Sequence, residues 1–201
     1  MISKLQYISQ GETPEVHLEN IQKVCVAGAD WVQLRLKNCD AETILETAKK
    51  AREITNSFKV KLIINDHYKI AKEVKADGVH LGKSDECPLV VRAYLGASFI
   101  IGGTANTTED CSSLLDKKVN YIGLGPYQFT KTKQNLSPVL GVLGYKKILE
   151  ELQTETPIIA IGGITLKDVP AIINTGIYGI AISSEITKEV SSIAEFQEIL
   201  N

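Results

Sequence analysis

Aromatic rings are scarce in this chain, with one Trp and four Phe, although 44% of its 201 residues are hydrophobic. A core of stacked rings is thereby excluded. The interior has to come from Val, Ile, Leu and Ala, the residues that fill parallel strands covered on both faces. An excess of charge is lacking too: 22 Lys+Arg stand against 24 Asp+Glu, for a formal net charge of -2. No long-range field draws a nucleic-acid backbone or an anionic membrane surface, so neither is expected as a partner and any anion site must be local. There is no CxxC pair and no cluster of histidines, which removes a structural zinc site. Cys25, Cys39, Cys87 and Cys111 therefore read as buried or half-buried thiols of a reducing compartment. No apolar run approaches the roughly 20 residues of a membrane span. Met1-Ile2-Ser3-Lys4-Leu5 runs straight into a strand, without the basic-then-apolar pattern of a signal peptide. A cytoplasmic protein is the expectation.

Short β-branched runs alternate with longer amphipathic runs along the whole chain, the mark of repeated β-α units and a parallel sheet. The expected strands are 4–9, 31–36, 61–65, 78–81, 99–104, 121–125, 157–161 and 179–183. Between them, 41–57 sets Ile44, Leu45, Ala48, Ala51 and Ile54 at helical spacing, and 141–152 sets Leu143, Ile148, Leu149 and Leu152 on a second helix. Asp40 and Thr165 read as N-caps. Eight units of about 25 residues suit a single (β/α)8 TIM barrel spanning residues 1–201. An open doubly wound sheet shows the same alternation. It commonly carries a glycine fingerprint after its first strand, where Ser9-Gln10-Gly11-Glu12-Thr13 offers one Gly.

In such a barrel the reactive face is where the strands end. The second strand ends Gln33-Leu34-Arg35-Leu36-Lys37, and period-two alternation turns Gln33, Arg35 and Lys37 to one side. If that side is the interior, two cations enter the mouth and call for an anionic ligand; if it is the helix-facing side, they are structural. The third strand ends Asn65-Asp66, and Asp85 follows the fourth closely. Adjacent strands lie about 4.8 Å apart, so the two carboxylates can converge. They then suit Mg²⁺, completed by water and substrate oxygens, or they are two separate helix caps. The long loop after the sixth strand carries Thr130, Lys131, Thr132 and Lys133, hydroxyls and ammoniums suited to phosphate. Gly162-Gly163 after the seventh strand and Ser183-Ser184 after the eighth stand where this fold builds its phosphate cup. His80, between Val79 and Leu81, reads as a core histidine, and His17 as a residue early in the first helix. No Ser/His/Asp or Cys/His nucleophile is legible.

Taken in order, Gln33-Leu34-Arg35-Leu36-Lys37, Ile64-Asn65-Asp66, Ala76-Asp77-Gly78-Val79-His80-Leu81-Gly82 with Asp85, Gly123-Leu124-Gly125-Pro126 leading to Thr130-Lys131-Thr132-Lys133, Ile161-Gly162-Gly163-Ile164 and Ile182-Ser183-Ser184 resemble the thiamine phosphate synthase family. That resemblance implies an enzyme joining hydroxymethylpyrimidine diphosphate to hydroxyethylthiazole phosphate with loss of pyrophosphate. It implies Mg²⁺ on Asp66 and Asp85. It puts Gln33, Leu34, Arg35, Leu36, Lys37, Asn65, Thr104 and Lys133 around the pyrimidine diphosphate. Thr130, Lys131, Thr132, Gly162, Gly163, Ile182 and Ser183 would surround the thiazole phosphate. Arg35, Lys37 and Lys133 with Mg²⁺ would stabilise departing pyrophosphate, leaving a pyrimidine carbocation for the thiazole nitrogen and no need for a general base.

The chain departs from the family pattern at Phe129, where Pro is usual, and at Thr104, where Ser is frequent. A related branch of thiazole tautomerases has a His near position 106, where this chain has Asn106. A tautomerase, a catalytically silent thiazole or thiamine phosphate sensor, and another phosphosugar barrel are the alternatives. A sensor would not need paired Asp66 and Asp85 with Arg35 and Lys133, and a phosphosugar isomerase or epimerase would need acid-base carboxylates instead. A homo-oligomer is left open.

Overall fold

The computed structural model describes residues 2–129 and 138–201. Eight parallel strands close in sequence order: β1 (Leu5–Ile8), β2 (Trp31–Leu34), β3 (Lys61–Asn65), β4 (Gly78–Leu81), β5 (Ile100–Ala105), β6 (Tyr121–Leu124), β7 (Ile158–Ile161) and β8 (Gly179–Ile182). β8 returns to pair with β1, Ile182 opposite Tyr7, so no edge is left. The connections carry α1 (Pro14–Val26), α2 (Ala41–Ser57), α3 (Tyr68–Glu73), α4 (Pro88–Leu95) and α5 (Thr108–Asp116). The second half adds α6 (Gly141–Leu152), α7 (Val169–Ile173), α8 (Ser184–Lys188) and α9 (Ser192–Leu200). This is the (β/α)8 barrel expected from the alternation, each strand overlapping its expected range. Among the described residues no helix is long and apolar enough to cross a membrane.

Alternation along the strands separates two cores. Val32, Leu34, Leu62, Ile64, Val79, Leu81, Ile122, Ile180 and Ile182 face outward and pack beneath the helices. Ile8, Trp31, Ile63, Tyr121, Ile159 and Ala181 form a distinct cluster inside the barrel. Trp31 and Tyr121 meet there edge to face, centroids 4.9 Å apart. The interior is thus sealed below by apolar side chains. Above that plug the inward positions turn polar, with Gln6, Gln33, Asn65 and His80 all buried.

Local signals start the helices where they were legible. Asp40 Oδ1 accepts the Thr43 amide at 2.8 Å and caps α2, while Thr165 shares Asp168 Oδ2 through both its amide and its hydroxyl before α7. In α2, Ile44, Ala48 and Ala51 are buried as the spacing predicts. Leu143 of α6 is not; it is 81% exposed. Five residues from Ile148 is about 140° around a helix, so the two do not share a face. Tyr145 takes the inward position instead, its hydroxyl donating to the Leu124 carbonyl at 3.0 Å.

Candidate active site

The end of β2 turns Gln33 and Arg35 into the barrel, whereas Leu34 and Leu36 belong to the outer core beneath the helices. Side chains of Leu34 and Leu36 therefore face away from the mouth, and only their backbone can meet a ligand; the same holds for Ile182. Gln33 Nε2 donates to Gln6 Oε1 at 3.3 Å across the interior. Arg35 is half-buried and makes no ion pair among the described residues. Burial pulls its guanidinium below the ordinary value, with the Asp66 carboxylate acting the other way. A desolvated cation without a partner is costly, and at a mouth it is a standing site for an anion.

Asp66 leaves β3 in the left-handed backbone region, φ 63°, and its amide donates to the His80 carbonyl at 2.8 Å. Its carboxylate pairs with Lys37 Nζ and lies within hydrogen-bonding reach of the Asp85 carboxyl. Asp85 Oδ2 in turn accepts the Gly82 amide at 2.6 Å. Neither Asp caps the following helix: His67 precedes α3 and Cys87 precedes α4. The capping alternative is thus excluded. Burial pushes Asp66 up, but hydrogen bonding with Asp85 and Lys37 and the charge of Lys37 hold it below the usual carboxylate range. Asp85 is raised, by burial first and then by Asp66. Two carboxyls in one place raise the pKa of one of them, and a nearby cation offsets that.

That donor set suits a hard divalent cation. It is two carboxylates with no His or Cys, and the described residues contain no group of three or more His, Cys, Asp or Glu that could enclose a metal. A cation there would keep water and take substrate oxygens, the habit of Mg²⁺. Beside the pair, the buried Asn65 Nδ2 has no hydrogen-bond partner among the described residues, an amide donor left for a ligand.

Thr104, next to last in β5, is half-buried at the mouth, its Oγ1 2.9 Å from His80 Nε2. His80 is a buried interior histidine, as its apolar neighbours suggest, with its other nitrogen 3.0 Å from the Tyr121 hydroxyl. Asn106 Nδ2 donates to the Gly125 carbonyl and so ties β5 to the β6 exit. On the opposite wall, Gly162 and Gly163 hold φ 98° and 70°, a region L side chains rarely adopt. A Cβ at Gly162 would also come within 2.8 Å of Pro126 Cβ. Gln128 locks the turn, its amide donating to the Gly162 carbonyl and its Nε2 to the Gly163 carbonyl at 2.7 Å. Thr130, Lys131, Thr132 and Lys133 lie outside the described residues.

The β1 exit contributes groups that sequence reasoning missed. Ser9 Oγ lies 2.8 Å from His17 Nδ1 and accepts the Arg35 amide at 3.1 Å, which links α1 to the cationic end of β2. Burial lowers His17, partly countered by the Gly11 backbone, with Arg35 lowering it further. Gln10 Oε1 accepts from Ser183 and Ser184 hydroxyls at 3.3 and 2.9 Å. The one available signal was a strand with Gln6 at an inward position, ending in Ser9-Gln10. Ser9, Gln10, His17 and Ser183, with Arg35 and Lys37, line a cavity of about 410 Å³. A hollow of about 750 Å³ between α4 and α5 contains no strand residue and lies off the mouth.

A closed parallel barrel whose strand ends gather cations, paired carboxylates and orphaned amides is a (β/α)8 enzyme in its architecture. Residues 5–186 match the family model described as thiamine monophosphate synthase. The thiamine-phosphate synthase of Flavobacterium johnsoniae is 47% identical over 191 residues, 94% of this chain and 90% of that protein. That of Bacteroides thetaiotaomicron is 41% identical over 200 residues, covering 98% and 96%. A solved thiamine phosphate pyrophosphorylase from Pyrococcus furiosus superposes with a TM-score of 0.83 at 26% identity, covering 98% of this chain and 97% of that one. The chain belongs to the thiamine monophosphate synthase family and is an enzyme of the transferase kind.

Proposed function

We propose that this chain acts as a single-domain thiamine phosphate synthase that condenses hydroxymethylpyrimidine diphosphate with hydroxyethylthiazole phosphate, releasing pyrophosphate. The observation that carries this reading is one wall of the mouth: Arg35, without an ion-pair partner among the described residues, beside Lys37 and the adjoining Asp66 and Asp85 carboxyls. A monophosphate needs no such wall, whereas a diphosphate brings enough negative charge to engage both cations and would still have oxygens for a cation held by the carboxylates.

Asp66 and Asp85 would hold Mg²⁺, which supplies positive charge beside the diphosphate oxygens when bound. Arg35, Lys37 and Thr104, with Lys133, offer donors to the diphosphate; Gln33 and Asn65 surround the pyrimidine end, and Leu34 and Leu36 act through their backbone. The bond between the pyrimidine methylene and the diphosphate oxygen breaks with its electron pair leaving on pyrophosphate, whose charge Arg35 and Lys37 offset. The thiazole nitrogen lone pair then forms the new carbon-nitrogen bond. No proton moves in either step. The thiazole phosphate would lie against Gly162, Gly163, Ile182 and Ser183, with Thr130, Lys131 and Thr132 of the connecting loop.

Purified protein given both precursors and Mg²⁺ is expected to yield thiamine phosphate by mass spectrometry, and none with excess EDTA. Thiazole phosphate binding without product would favour a sensor. Aromatisation of the thiazole without coupling would favour a tautomerase.

A further inference from the structure

We infer that His80 and Tyr121 are positioning residues that fix the Thr104 hydroxyl as a hydrogen-bond donor toward the barrel mouth, matched to the acceptor-only oxygens of a diphosphate. This rests on the assignment of Thr104 to the diphosphate wall, and adds why that hydroxyl points its proton outward.

Two hydrogen-bonded groups of polar side chains stand in the barrel interior. Gln33 Nε2 donates to Gln6 Oε1, the Tyr121 hydroxyl lies 3.0 Å from His80 Nδ1, and His80 Nε2 lies 2.9 Å from Thr104 Oγ1. The slot is built for this pair of rings. A Cβ at Gly102 would lie 2.1 Å from the Tyr121 ring, and one at Gly123 would lie 3.1 Å from His80 Cε1. His80 and Tyr121 sit ring against ring, centroids 5.5 Å apart, and Trp31 closes the far side of Tyr121.

The polarity of the Tyr121–His80–Thr104 run follows from its lower end. Tyr121 is fully buried, and among the described residues the one hydrogen bond its hydroxyl makes is to His80 Nδ1. Were the ring nitrogen the donor, the phenol proton would be buried without an acceptor. Tyr121 therefore gives its own proton to His80 Nδ1. A neutral imidazole accepting at Nδ1 carries its hydrogen on Nε2 and donates it to Thr104 Oγ1. The Thr104 hydroxyl then keeps its proton for the mouth. In the reverse polarity Thr104 would donate inward and turn lone pairs toward an anion, an arrangement that repels.

Long-range ¹H–¹⁵N spectra of the intact protein labelled with ¹⁵N-histidine report the tautomer directly, with His80 assigned by its loss in His80→Gln. We expect the proton on Nε2 in the native chain and a mixture of tautomers in Tyr121→Phe. Kinetically, Tyr121→Phe should raise KM for the pyrimidine diphosphate about three- to tenfold, the worth of one hydrogen bond, and less than about twofold when Thr104 is already Val. A proton on Nδ1 in the native chain, or an equal KM rise in both backgrounds, would overturn the relay. An unchanged KM in Thr104→Val would instead overturn the placement of Thr104 on the diphosphate wall.

Discussion

Replacing Asp85 by Asn separates holding a metal from holding the fold, because the amide keeps the size of the carboxylate and an oxygen for the Gly82 amide, 2.6 Å away in the native chain. A hydrogen bond to a charged group is worth about 1.5–3 kcal/mol and a neutral one about 0.5–1.5, so the exchange costs roughly 1 kcal/mol. Relief of the repulsion between Asp85 and Asp66 works in the opposite direction. In EDTA the melting temperature should thus move by no more than about 4 °C. Saturating pyrophosphate with Mg²⁺ is another matter. At a hundredfold excess over its Kd such a ligand stabilises by about 2.7 kcal/mol, or roughly 5–11 °C for a chain of this size. Asp85→Asn should forfeit most of that shift and nearly all coupling activity.

The pH dependence has a sign as well. Asp85 is raised in the folded state, so the stability it contributes is present below the ordinary aspartate range and is lost as pH climbs through its raised value. Asp66, held low, contributes stability above the ordinary range that is lost as pH falls through its lowered value. Thermal scans in EDTA across the acid range should show the first loss in the native chain and not in Asp85→Asn. A variant that kept the full pyrophosphate and Mg²⁺ shift, or full turnover, would refute the assignment of Asp85 to the metal.

Arg35→Met removes a half-buried cation that has no ion-pair partner among the described residues, so thermal scans should find the fold unchanged or firmer while turnover falls at least about a hundredfold. Gly102→Ala drives a methyl to within 2.1 Å of the fully buried Tyr121 ring, and overpacking of about 1–3 kcal/mol should lower the melting temperature by roughly 2–12 °C. Asp40→Ala strips the cap from α2 at a cost of about 1 kcal/mol, visible as a drop of roughly 2–4 °C with activity retained.

The strands were legible because parallel strands buried on both faces write themselves as short β-branched runs, and α2 because Ile44, Ala48 and Ala51 keep one face. Alternation correctly turned Gln33 and Arg35 inward. The same rule, applied to Leu34, Leu36 and Ile182, would have restricted them to backbone contacts. Leu143 went wrong by five-residue spacing, which Tyr145 exposes. What sequence could not supply was partnership across the barrel. That Lys37 meets Asp66, that Thr104 meets His80, or that Ser9 meets His17 depends on strand register and closure, which no local pattern encodes.

The bonds from Ser183 and Ser184 to Gln10 span 173 and 174 residues and stitch the last strand exit to the first. During synthesis, a ribosome must therefore extrude everything from Gln10 to Ser184 before the rim can close. A product stalled short of Ser184 would carry the cations and carboxylates of its early strands on an open, unpaired sheet. It could neither present the opposite wall nor bury its free edges, which makes it a substrate for proteases and chaperones.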